Sequence, residues 1–384
     1  MAVIQCRYFS GYKPCGLNSI CDENCTSQSK VQSRILLIHL GALGAVVRST
    51  GLLKLIHKKH PQAHLTWVTQ RPAHHLLTHN NLIDRVLTTE NTDLLKLKSL
   101  KFDVAYVVDK SLEASGVLSF THAQKIYGFI ADPLTGAILP ANSSAQELWQ
   151  IGLNDDLKFY KNKKSELQLT IEALELSDKA IAEDYYLPLA ASEQVEVAYR
   201  KSVWSGNGNR KILGINTGCS SVLPAKKLTV ENHRELIKKF AERQDVQVVL
   251  LGVVEDRQRN LQIAEGLRVV QSDTQSGLRD GLISVAACDV IFTGDSLGMH
   301  MSISQQVSTV AWFGPSCAHE IDFFGRGEAI LTTATCSPCW KRSCQKTVMC
   351  YDLLDLVDVQ QRLNRRLSSC QILQTKKSSM LDLS

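Results

Sequence analysis

The sequence predicts an α/β protein with two doubly wound domains that face a cleft. Short apolar runs alternate with helical stretches, and two such series lie on either side of a polar break at 205–209. This alternation favours parallel sheets covered by helices on both faces, because a parallel crossover needs a dozen or more residues. A chain of 384 residues is also too long for one ordinary core. Ligands of such open sheets bind at the carboxyl ends of the strands.

The first series follows a polar, cysteine-bearing start that we expect to form a separate segment over 1–33. Its predicted elements, in chain order, are a strand at 34–40, a helix at 46–57, a strand at 63–69, a short helix at 73–78, and strands at 85–88 and 104–108. Residues 155–199 are rich in Glu, Lys, Leu and Ala and predict strand fragments and helix around a connector. We therefore expect an N-terminal domain over 34–204.

The second series predicts a C-terminal domain over 205–360, which includes a cysteine cluster at 336–350. Its predicted elements, in chain order, are a strand at 212–215, a helix at 230–243, a strand at 246–251, a helix at 256–265, a strand at 269–270, a helix at 278–286, a strand at 290–293, a helix at 299–304 and a strand at 307–313. A helix or tail over 361–384 is expected to end the chain.

Composition and charge exclude several classes of protein. With 44% hydrophobic and 21% charged residues, the chain has enough apolar surface for globular cores. A net charge of +5 over the whole length is too dilute to indicate a nucleic-acid partner. Short lysine clusters, such as 161–164, predict solvated helix faces and are also compatible with contact to an anionic membrane surface.

The lengths of the apolar runs predict where in the cell the protein is located. The longest one, at 35–47, falls short of the roughly 20 residues of a bilayer span. Residues 1–30 lack the apolar run that a secretory signal needs. We expect the protein in the cytoplasm, with the cytoplasmic face of the inner membrane as the alternative place.

The first glycine turn, Gly41-Ala-Leu-Gly44, lies between a predicted strand and a predicted helix. Small residues there let a ligand approach the backbone, and a helix N-terminus favours an anion. The alternative is a tight turn with no ligand. The spacing is not Gly-x-Gly-x-x-Gly, and no Gly-Lys-Ser/Thr follows, so dinucleotide oxidoreductases and P-loop enzymes are disfavoured.

A second loop with glycine and hydroxyl groups closes the first strand of the C-terminal domain. It contains Thr217, Gly218 and Ser220, and Lys226 follows shortly before a predicted helix. Backbone donors, hydroxyls and an ammonium group at a strand end suit a pyrophosphate. The alternative is a solvated loop with surface lysines.

Two further strand ends carry acidic residues. Glu255 follows the strand at 246–251 and predicts hydrogen bonds to a ribose diol, or else a helix N-terminal charge that the helix dipole favours. Asp295, at the next such end, predicts a helix cap, which is compatible with ligand binding nearby. The polar groups beside it that are predicted to bind phosphate or sugar are Ser296, Gly298 and His300.

These motifs together resemble glycosyltransferase family 9, which contains the ADP-heptose:lipopolysaccharide heptosyltransferases. The motifs that carry the resemblance are Leu40-Gly-Ala-Leu-Gly44, Asn216-Thr-Gly218 with Lys226, Leu251-Gly252 with Glu255-Asp256, Gly294-Asp-Ser296 with Met299-His300, and Phe313-Gly-Pro-Ser316. The resemblance covers about 34–360. It implies a GT-B architecture of two Rossmann-like domains, the first for the acceptor and the second for the nucleotide-sugar donor. It also implies an inverting transfer that needs no divalent cation.

The resemblance also implies roles for single residues. Lys226 would neutralise the donor pyrophosphate, and Glu255 would hold the ribose or adenine side. The remaining residues that it places at the donor are Gly44, Thr217, Gly218, Ser220, Asp295, Ser296, Gly298 and His300. The donor would be an ADP-heptose or a related sugar nucleotide, and the acceptor a lipopolysaccharide, another surface glycan or a protein.

One departure from the family concerns the catalytic base. Family members usually have Gly-Asp-Val at the first turn, where this chain has Gly44-Ala45-Val46. A methyl group accepts no proton, and loss of a general base costs about a hundredfold to ten-thousandfold in rate. Asp109, at a strand end of the same domain, is the candidate replacement, although a capping or ion-pairing role is the alternative. A catalytically silent nucleotide-sugar-binding protein is therefore the second functional hypothesis.

Eight of the twelve cysteines predict metal sites. Cys336, Cys339, Cys344 and Cys350 supply four soft ligands that begin with a C-x₂-C knuckle, which suits tetrahedral zinc or iron. The looser N-terminal set is Cys6, Cys15, Cys21 and Cys25. The alternative for both sets is free or packed thiols, since disulfides are not expected in a reducing compartment. A subset of family 9 is similar at both ends, including the Cys6-Arg-Tyr-Phe9 start, and related autotransporter heptosyltransferases carry a four-cysteine iron finger. By that similarity the metal is structural. A metal-dependent structural or regulatory protein is the third hypothesis.

Overall fold

The computed structural model describes residues 2–177 and 183–381. The chain divides into two compact units, Met1–Tyr186 and Leu187–Ser384. The second unit begins earlier than the sequence predicts, because a helix over Ala191–Ser205 packs on it. Arg200 of that helix donates from Nη1 to Asp280 Oδ2 at 3.1 Å and to Ser284 Oγ at 2.7 Å.

The first unit holds six strands and six helices in the part of it that the structure describes. In chain order they are β1 (Ser33–Ile38), α1 (Leu43–Ser49), α2 (Leu53–Lys59), β2 (Ala63–Thr69), β3 (Arg85–Thr88), α3 (Asn91–Lys98), β4 (Lys101–Val107), α4 (Leu112–Ser119), β5 (His122–Ala131), β6 (Ile138–Pro140), α5 (Gln146–Gly152) and α6 (Glu166–Ala173). Short 3₁₀ turns lie at Thr50–Leu52 and Ala73–Leu77, and a π-helical turn lies at Leu157–Lys161.

The sheet of the first unit has the strand order β3-β2-β1-β4-β5-β6, with β6 antiparallel to β5 and the other pairs parallel. Its central strand is an unbroken apolar run, and Ile35 to Ile38 are fully buried. Such runs are typical of parallel strands that helices cover on both faces. The predicted helix at 46–57 is present but interrupted by the 3₁₀ turn at Thr50–Leu52.

The sequence predicts strand fragments and helix at 155–199, and the described part of this region contains helix and no strand. The alternation Leu167-Gln-Leu-Thr-Ile171 resembles a strand pattern, yet it lies in α6. The side chain of Ser165 caps this helix by accepting from the backbone N–H of Gln168 at 3.1 Å. A capped N-terminus of this kind stabilises the helix by about 1 kcal/mol and outweighs the weak strand pattern.

The second unit repeats the same plan. In chain order its elements are α7 (Ala191–Ser205), β7 (Lys211–Asn216), α8 (Val230–Ala241), β8 (Val246–Leu251), α9 (Arg257–Ala264), β9 (Val269–Gln271), α10 (Leu278–Ala286), β10 (Val290–Gly294), α11 (Leu297–Ser304), β11 (Ser308–Phe313), β12 (Gly327–Leu331) and α12 (Leu356–Leu381). Its sheet is parallel in the order β12-β11-β10-β7-β8-β9. The predicted C-terminal helix or tail thus begins as helix at Leu356, and 382–384 lie outside the described residues.

Apolar side chains of one sheet face and of helices α8, α9 and α12 form a core of the second unit. Phe240 of α8, Phe292 of β10 and Trp312 of β11 are buried together. Helix α12 adds Val359 and Leu363 to the same cluster, both fully buried. Within the described ranges, no helix is both long and apolar enough to cross a membrane.

Each sheet has a switch point, where the chain turns to the opposite edge of the sheet. It lies between β1 and β4 in the first unit and between β7 and β10 in the second. The crevice beyond the carboxyl ends of two such strands is where doubly wound sheets bind ligands. The candidate residues of each unit are therefore those that follow these strands.

Candidate active site

The first unit holds a polar cavity beside its switch point. Residues from the ends of β1 and β4 line it together with residues of α1 and α6. The lining includes both Ala45, at the position of the expected base, and Asp109, the predicted replacement. The lining also includes polar side chains that the sequence did not single out, among them His39, Arg48 and Glu166.

Asp109 is held close to the backbone that follows β1. Its Oδ2 accepts from the backbone N–H of Leu40, and its Oδ1 lies 3.6 Å from Nε2 of His39. Burial raises the pKa of Asp109 to about 7, and Glu113 adds to the shift, while the Leu40 hydrogen bond and Lys110 oppose it. A carboxyl group with a pKa near neutrality is well matched to general-base work.

Two other titratable groups of this cavity, His39 and Glu166, do not change their protonation state near pH 7. Burial, together with nearby Arg48, lowers the pKa of His39 to about 3, so the imidazole is neutral; its Nδ1 lies 2.6 Å from Oγ of Ser49. Arg48 pairs with Glu166 at 2.7 Å from Nη2 to Oε2. Burial disfavours the charge on Glu166, yet Arg48 and Lys110 hold the pKa of its carboxyl below the usual range. Asp109 is thus the carboxyl group of this cavity whose charge changes near pH 7.

In the second unit, Lys226 and Asp295 form a nearly buried ion pair. Nζ of Lys226 lies 2.6 Å from Oδ2 of Asp295, and the two side chains are 13% and 12% exposed. Burial alone would raise the pKa of Asp295, but Lys226 and His300, together with the hydrogen bond from Lys226, bring it below its ordinary value. The structure therefore brings together three of the predicted residues, although His300 itself is buried in α11.

Asn216 connects the two strands at the switch point of the second unit. Its Nδ2 donates to the carbonyl of Gly218 at 3.0 Å, to Oγ1 of Thr293 at 3.2 Å and to Oγ of Ser296 at 3.0 Å. A Cβ at Gly298 would lie 2.6 Å from Cγ of Asn216, which explains the glycine there. Sequence reasoning quoted Asn216 in a motif but gave it no role, although an amide at a strand end was the available signal.

The two acidic residues after β8, Glu255 and Asp256, have different surroundings. Asp256 is buried, its Oδ2 accepts from the backbone N–H of Val253 at 3.1 Å, and burial raises the pKa of its carboxyl. A Cβ at Gly218 would lie 1.9 Å from the same Oδ2, so the loop at Gly218 depends on a bare backbone. Glu255 is exposed in the adjoining 3₁₀ turn, Val254–Asp256. Asp256 is a structural residue that sequence analysis quoted in a motif without giving it a role.

Three other predicted residues have different surroundings. The Thr217 hydroxyl is buried and donates inward to Asn260 Oδ1 at 2.5 Å, and its oxygen lies 3.3 Å from the Leu251 carbonyl oxygen. Ser220 is exposed in its loop. Gly44 lies in α1 of the first unit and not with the other predicted donor residues.

The two cysteine sets lie in different units. Cys336, Cys339, Cys344 and Cys350 line one cavity of the second unit. In the first unit, loss of solvation, followed by the neighbouring thiols of Cys15, Cys25 and Cys6, raises the pKa of Cys21. Among the residues that the structure describes, no cysteine forms a disulfide, and no three His, Cys, Asp or Glu side chains are arranged to hold a metal ion. The predicted metal-binding character of these segments is thus not seen as a formed site.

Comparison with known proteins gives a family match and two kinds of relatives. Residues 94–349 match the family model for glycosyltransferase family 9 (heptosyltransferase). Lipooligosaccharide heptosyltransferase 2 of Campylobacter jejuni is 28% identical over 197 residues, which are 48% of this chain and 59% of that protein. The chain thus aligns with less than two thirds of that relative's length. Lipopolysaccharide heptosyltransferase 2 of Escherichia coli K12 is 22% identical over 302 residues, or 74% of this chain and 83% of the relative.

Solved structures support the same architecture. A family 9 glycosyltransferase from Veillonella parvula superposes with a TM-score of 0.64 at 16% identity, covering 88% of this chain and 98% of that one. ADP-heptose LPS heptosyltransferase II of Escherichia coli gives 0.62 at 19% identity, covering 88% and 99%. The iron-containing dodecameric glycosyltransferase TibC of enterotoxigenic Escherichia coli gives 0.52 at 10% identity, covering 88% and 77%. At these identities the likeness shows the fold, and it confirms the predicted GT-B class.

Proposed function

The chain belongs to glycosyltransferase family 9, and from that premise we propose that it moves a heptose, or a similar sugar, from an ADP-sugar to a bacterial acceptor with inversion. The acceptor would be a lipopolysaccharide, another surface glycan or a protein. The observation that best supports the proposal is the Lys226–Asp295 pair at the switch point of the second unit. A nearly buried ammonium group at this position suits a leaving group whose negative charge grows during the reaction.

The proposed donor site uses the loops after β7, β8 and β10. Lys226 neutralises the pyrophosphate, and exposed Glu255 accepts hydrogen bonds from the ribose or adenine side. The residues assigned to the phosphates and sugar are Asp295, Ser296 and Gly298, with support from Thr217, Gly218, Ser220 and His300. The family resemblance assigns Gly44 to the donor as well. Glycine at 218 and 298 supports this assignment, since a side chain at either position would collide with Asp256 or Asn216 beside the proposed site.

For the chemical step, Asp109 is the proposed base. Its ionised carboxylate takes the proton of the acceptor hydroxyl as that oxygen bonds to the anomeric carbon of the sugar. The bond from this carbon to the β-phosphate oxygen breaks, and ADP leaves with the electron pair. The pKa of about 7 and the position of Asp109 in the cavity that Ala45 also lines support this role. No divalent cation takes part in the proposed step.

A transfer assay tests the proposal directly. Purified protein is incubated with ADP-heptose and with either a heptose-deficient lipopolysaccharide or an unglycosylated autotransporter fragment, and release of ADP and gain of mass on the acceptor are measured. Sugar transfer to either acceptor supports the proposal and identifies the acceptor class. If neither acceptor gains a sugar while ADP binds, the second hypothesis, a silent nucleotide-sugar-binding protein with Ala45 in place of the base, is favoured.

The proposed cofactor is a structural zinc or iron ion held by thiolates. Four thiols on one cavity wall are a suitable donor set, and Cys336, Cys339, Cys344 and Cys350 would hold the ion with no open position for substrate. A second ion at Cys6, Cys15, Cys21 and Cys25 would support a segment whose apolar side chains, such as Tyr12 and Ile20, are exposed. Such ions would stabilise the folded segments. Metal analysis of protein kept in reducing buffer tests this, and a stoichiometry near zero contradicts it.

The proposed place of the reaction is the cytoplasm or the cytoplasmic face of the inner membrane. The second place applies where the acceptor is linked to a lipid. Fractionation of cells with an antibody to the protein, before and after a high-salt wash, distinguishes the two.

A further inference from the structure

The ammonium group of Lys226 has a second neighbour besides Asp295. Its Nζ lies 4.7 Å from the ring centroid of Trp340, over the face of the indole. Trp340 belongs to the cysteine segment at 336–350, which the proposed reaction does not otherwise use. Cations over an aromatic face are attracted by the ring, and the attraction grows when water is excluded.

The backbone fixes Trp340 against the loop after β11. The N–H groups of Cys339 and Trp340 both donate to the carbonyl of Pro315, at 3.0 and 2.8 Å, and the Ser337 hydroxyl donates to the carbonyl of Gly314. The next residue of that loop is Ser316, which lies close enough to Asp295 to help lower the pKa of its carboxyl. The loop after β11 therefore lies next to Asp295, while Trp340 itself contacts Lys226.

The other end of the cysteine segment, at Cys350, packs against the residue before Lys226 and against the loop after β11. The sulfur of Cys350 lies 4.0 Å from the carbonyl oxygen of Ala225, the residue before Lys226. A Cβ at Gly314 would lie 2.8 Å from that sulfur, so the loop and the segment are in tight contact. The Thr332 hydroxyl donates to the carbonyl of Cys350 at 2.6 Å and ties it to the end of β12.

We propose that Trp340 is a positioning residue that holds the Lys226 ammonium toward the donor diphosphate, and that the cysteine segment serves the donor site in this way. The inference rests on the proposed function, because it takes Lys226 as the group that meets the diphosphate. An ammonium group that lies between a carboxylate and an aromatic face is fixed in direction, because both neighbours attract it. The segment that sequence analysis assigns to a metal alone thus gains a role in ligand binding.

The test compares the binding of ADP and of adenosine by calorimetry, because only ADP carries the diphosphate. The variants are Trp340→Leu, which removes the ring, and Trp340→Phe, which keeps an aromatic face. Trp204→Leu is the matched control, since Trp204 is a half-buried tryptophan in α7 of the same unit. Loss of a partly desolvated cation–π contact predicts about a three- to thirtyfold higher Kd of Trp340→Leu for ADP. Adenosine binding is unchanged, and Trp340→Phe stays within about threefold of the unmodified protein.

Each other result counts against the inference in a recognisable way. If Trp340→Leu weakens ADP and adenosine equally, or if Trp340→Phe loses as much as Trp340→Leu, the ring acts through folding and the inference is overturned. If the unmodified protein, Trp340→Leu and Trp340→Phe bind ADP equally well, the inference fails while the proposed function stands. If the unmodified protein does not bind ADP, the proposed donor site fails and the inference fails with it.

Discussion

Ala45 and Asp109 line the same cavity of the first unit, so the position that lacks the family's carboxylate lies beside another carboxylate. Asp109 comes from the loop after β4, and Ala45 from the first turn of α1. A base can therefore be supplied from the neighbouring strand end without a change in the shape of the sheet. This arrangement supports the proposed role of Asp109 as the base.

Replacing Asp109 with asparagine should abolish most of the transfer while leaving the donor site intact. We expect kcat of Asp109→Asn to fall about a hundredfold to ten-thousandfold, the usual contribution of a general base. The Kd for ADP should stay within about twofold, because the substitution removes a charge and keeps the shape. Steady-state ADP release and calorimetry measure the two quantities. A kcat close to that of the unmodified protein would remove Asp109 from the mechanism.

A carboxylate returned to position 45 should rescue that variant. In the Asp109→Asn background, Ala45→Asp places an acid in the same cavity, and we expect kcat to rise at least tenfold over Asp109→Asn alone, a fraction of a full base contribution. Ala45→Asn in the same background is the control, since it has the same size and accepts no proton. Equal rates for the Asp and Asn double variants would show that position 45 does not reach the acceptor hydroxyl.

The transfer rate should rise with pH through about 7. Asp109 has a pKa of about 7 in the folded protein and must be ionised to accept a proton, so kcat/KM climbs below this value and levels off above it. His39 has a pKa of about 3, so its titration does not change the rate between pH 5 and 9. Rates measured from pH 5 to 9 with a fixed ionic strength test this. A profile that is flat from 5 to 8 contradicts the assignment.

The same pKa has a consequence for stability. The pKa of Asp109 is about 7 in the folded protein, above its value of about 3.9 in the unfolded chain. The contribution of Asp109 to stability is therefore fully present below about pH 3.9 and is lost as the pH rises through about 7. The Asp109→Asn variant carries no charge to desolvate. We expect it to gain thermal stability relative to the unmodified protein at pH 8 compared with pH 4. Melting temperatures of both proteins at the two pH values measure the difference, and an equal offset at both contradicts it.

Glycine 298 should be intolerant of a single added carbon. A Cβ there would lie 2.6 Å from Cγ of Asn216, so Gly298→Ala should disturb the Asn216 network and weaken ADP binding about tenfold or more, as loss of a buried hydrogen bond to a ligand loop does. Gly281→Ala is the matched control, because Gly281 also lies in a helix and nothing is within 4 Å of its Cβ position. That control should gain about 0.4–1 kcal/mol of stability. Similar losses in both variants would contradict the steric account.

Strands with strong apolar signals could be predicted from sequence, and weaker ones could not. The run Val246–Leu251 is β8 with the predicted ends, because all six of its residues are buried. The edge strand β12, Gly327–Leu331, was missed because it is only partly buried and lacks a continuous apolar run. Helices α3 and α4 were missed for a similar reason, since their buried residues are few.

Some residues of the candidate site could likewise be predicted from sequence, and others could not. Asp109 and Asp295 could be selected because a carboxylate directly after a buried strand falls at the carboxyl edge of the sheet. Arg48 and Glu166 could not, because they meet only when α6 packs beside α1. Lys226 and Trp340 are likewise brought together by the tertiary fold, and no spacing in the sequence indicates their contact.

The common strand order of the two sheets has a consequence for how such a protein can diversify. Each unit has its own apolar core and its own switch point, so a substitution in one core leaves the scaffold of the other unit intact. If each unit binds one reactant, as proposed, the recognition of one reactant can change by substitutions in one half of the gene alone.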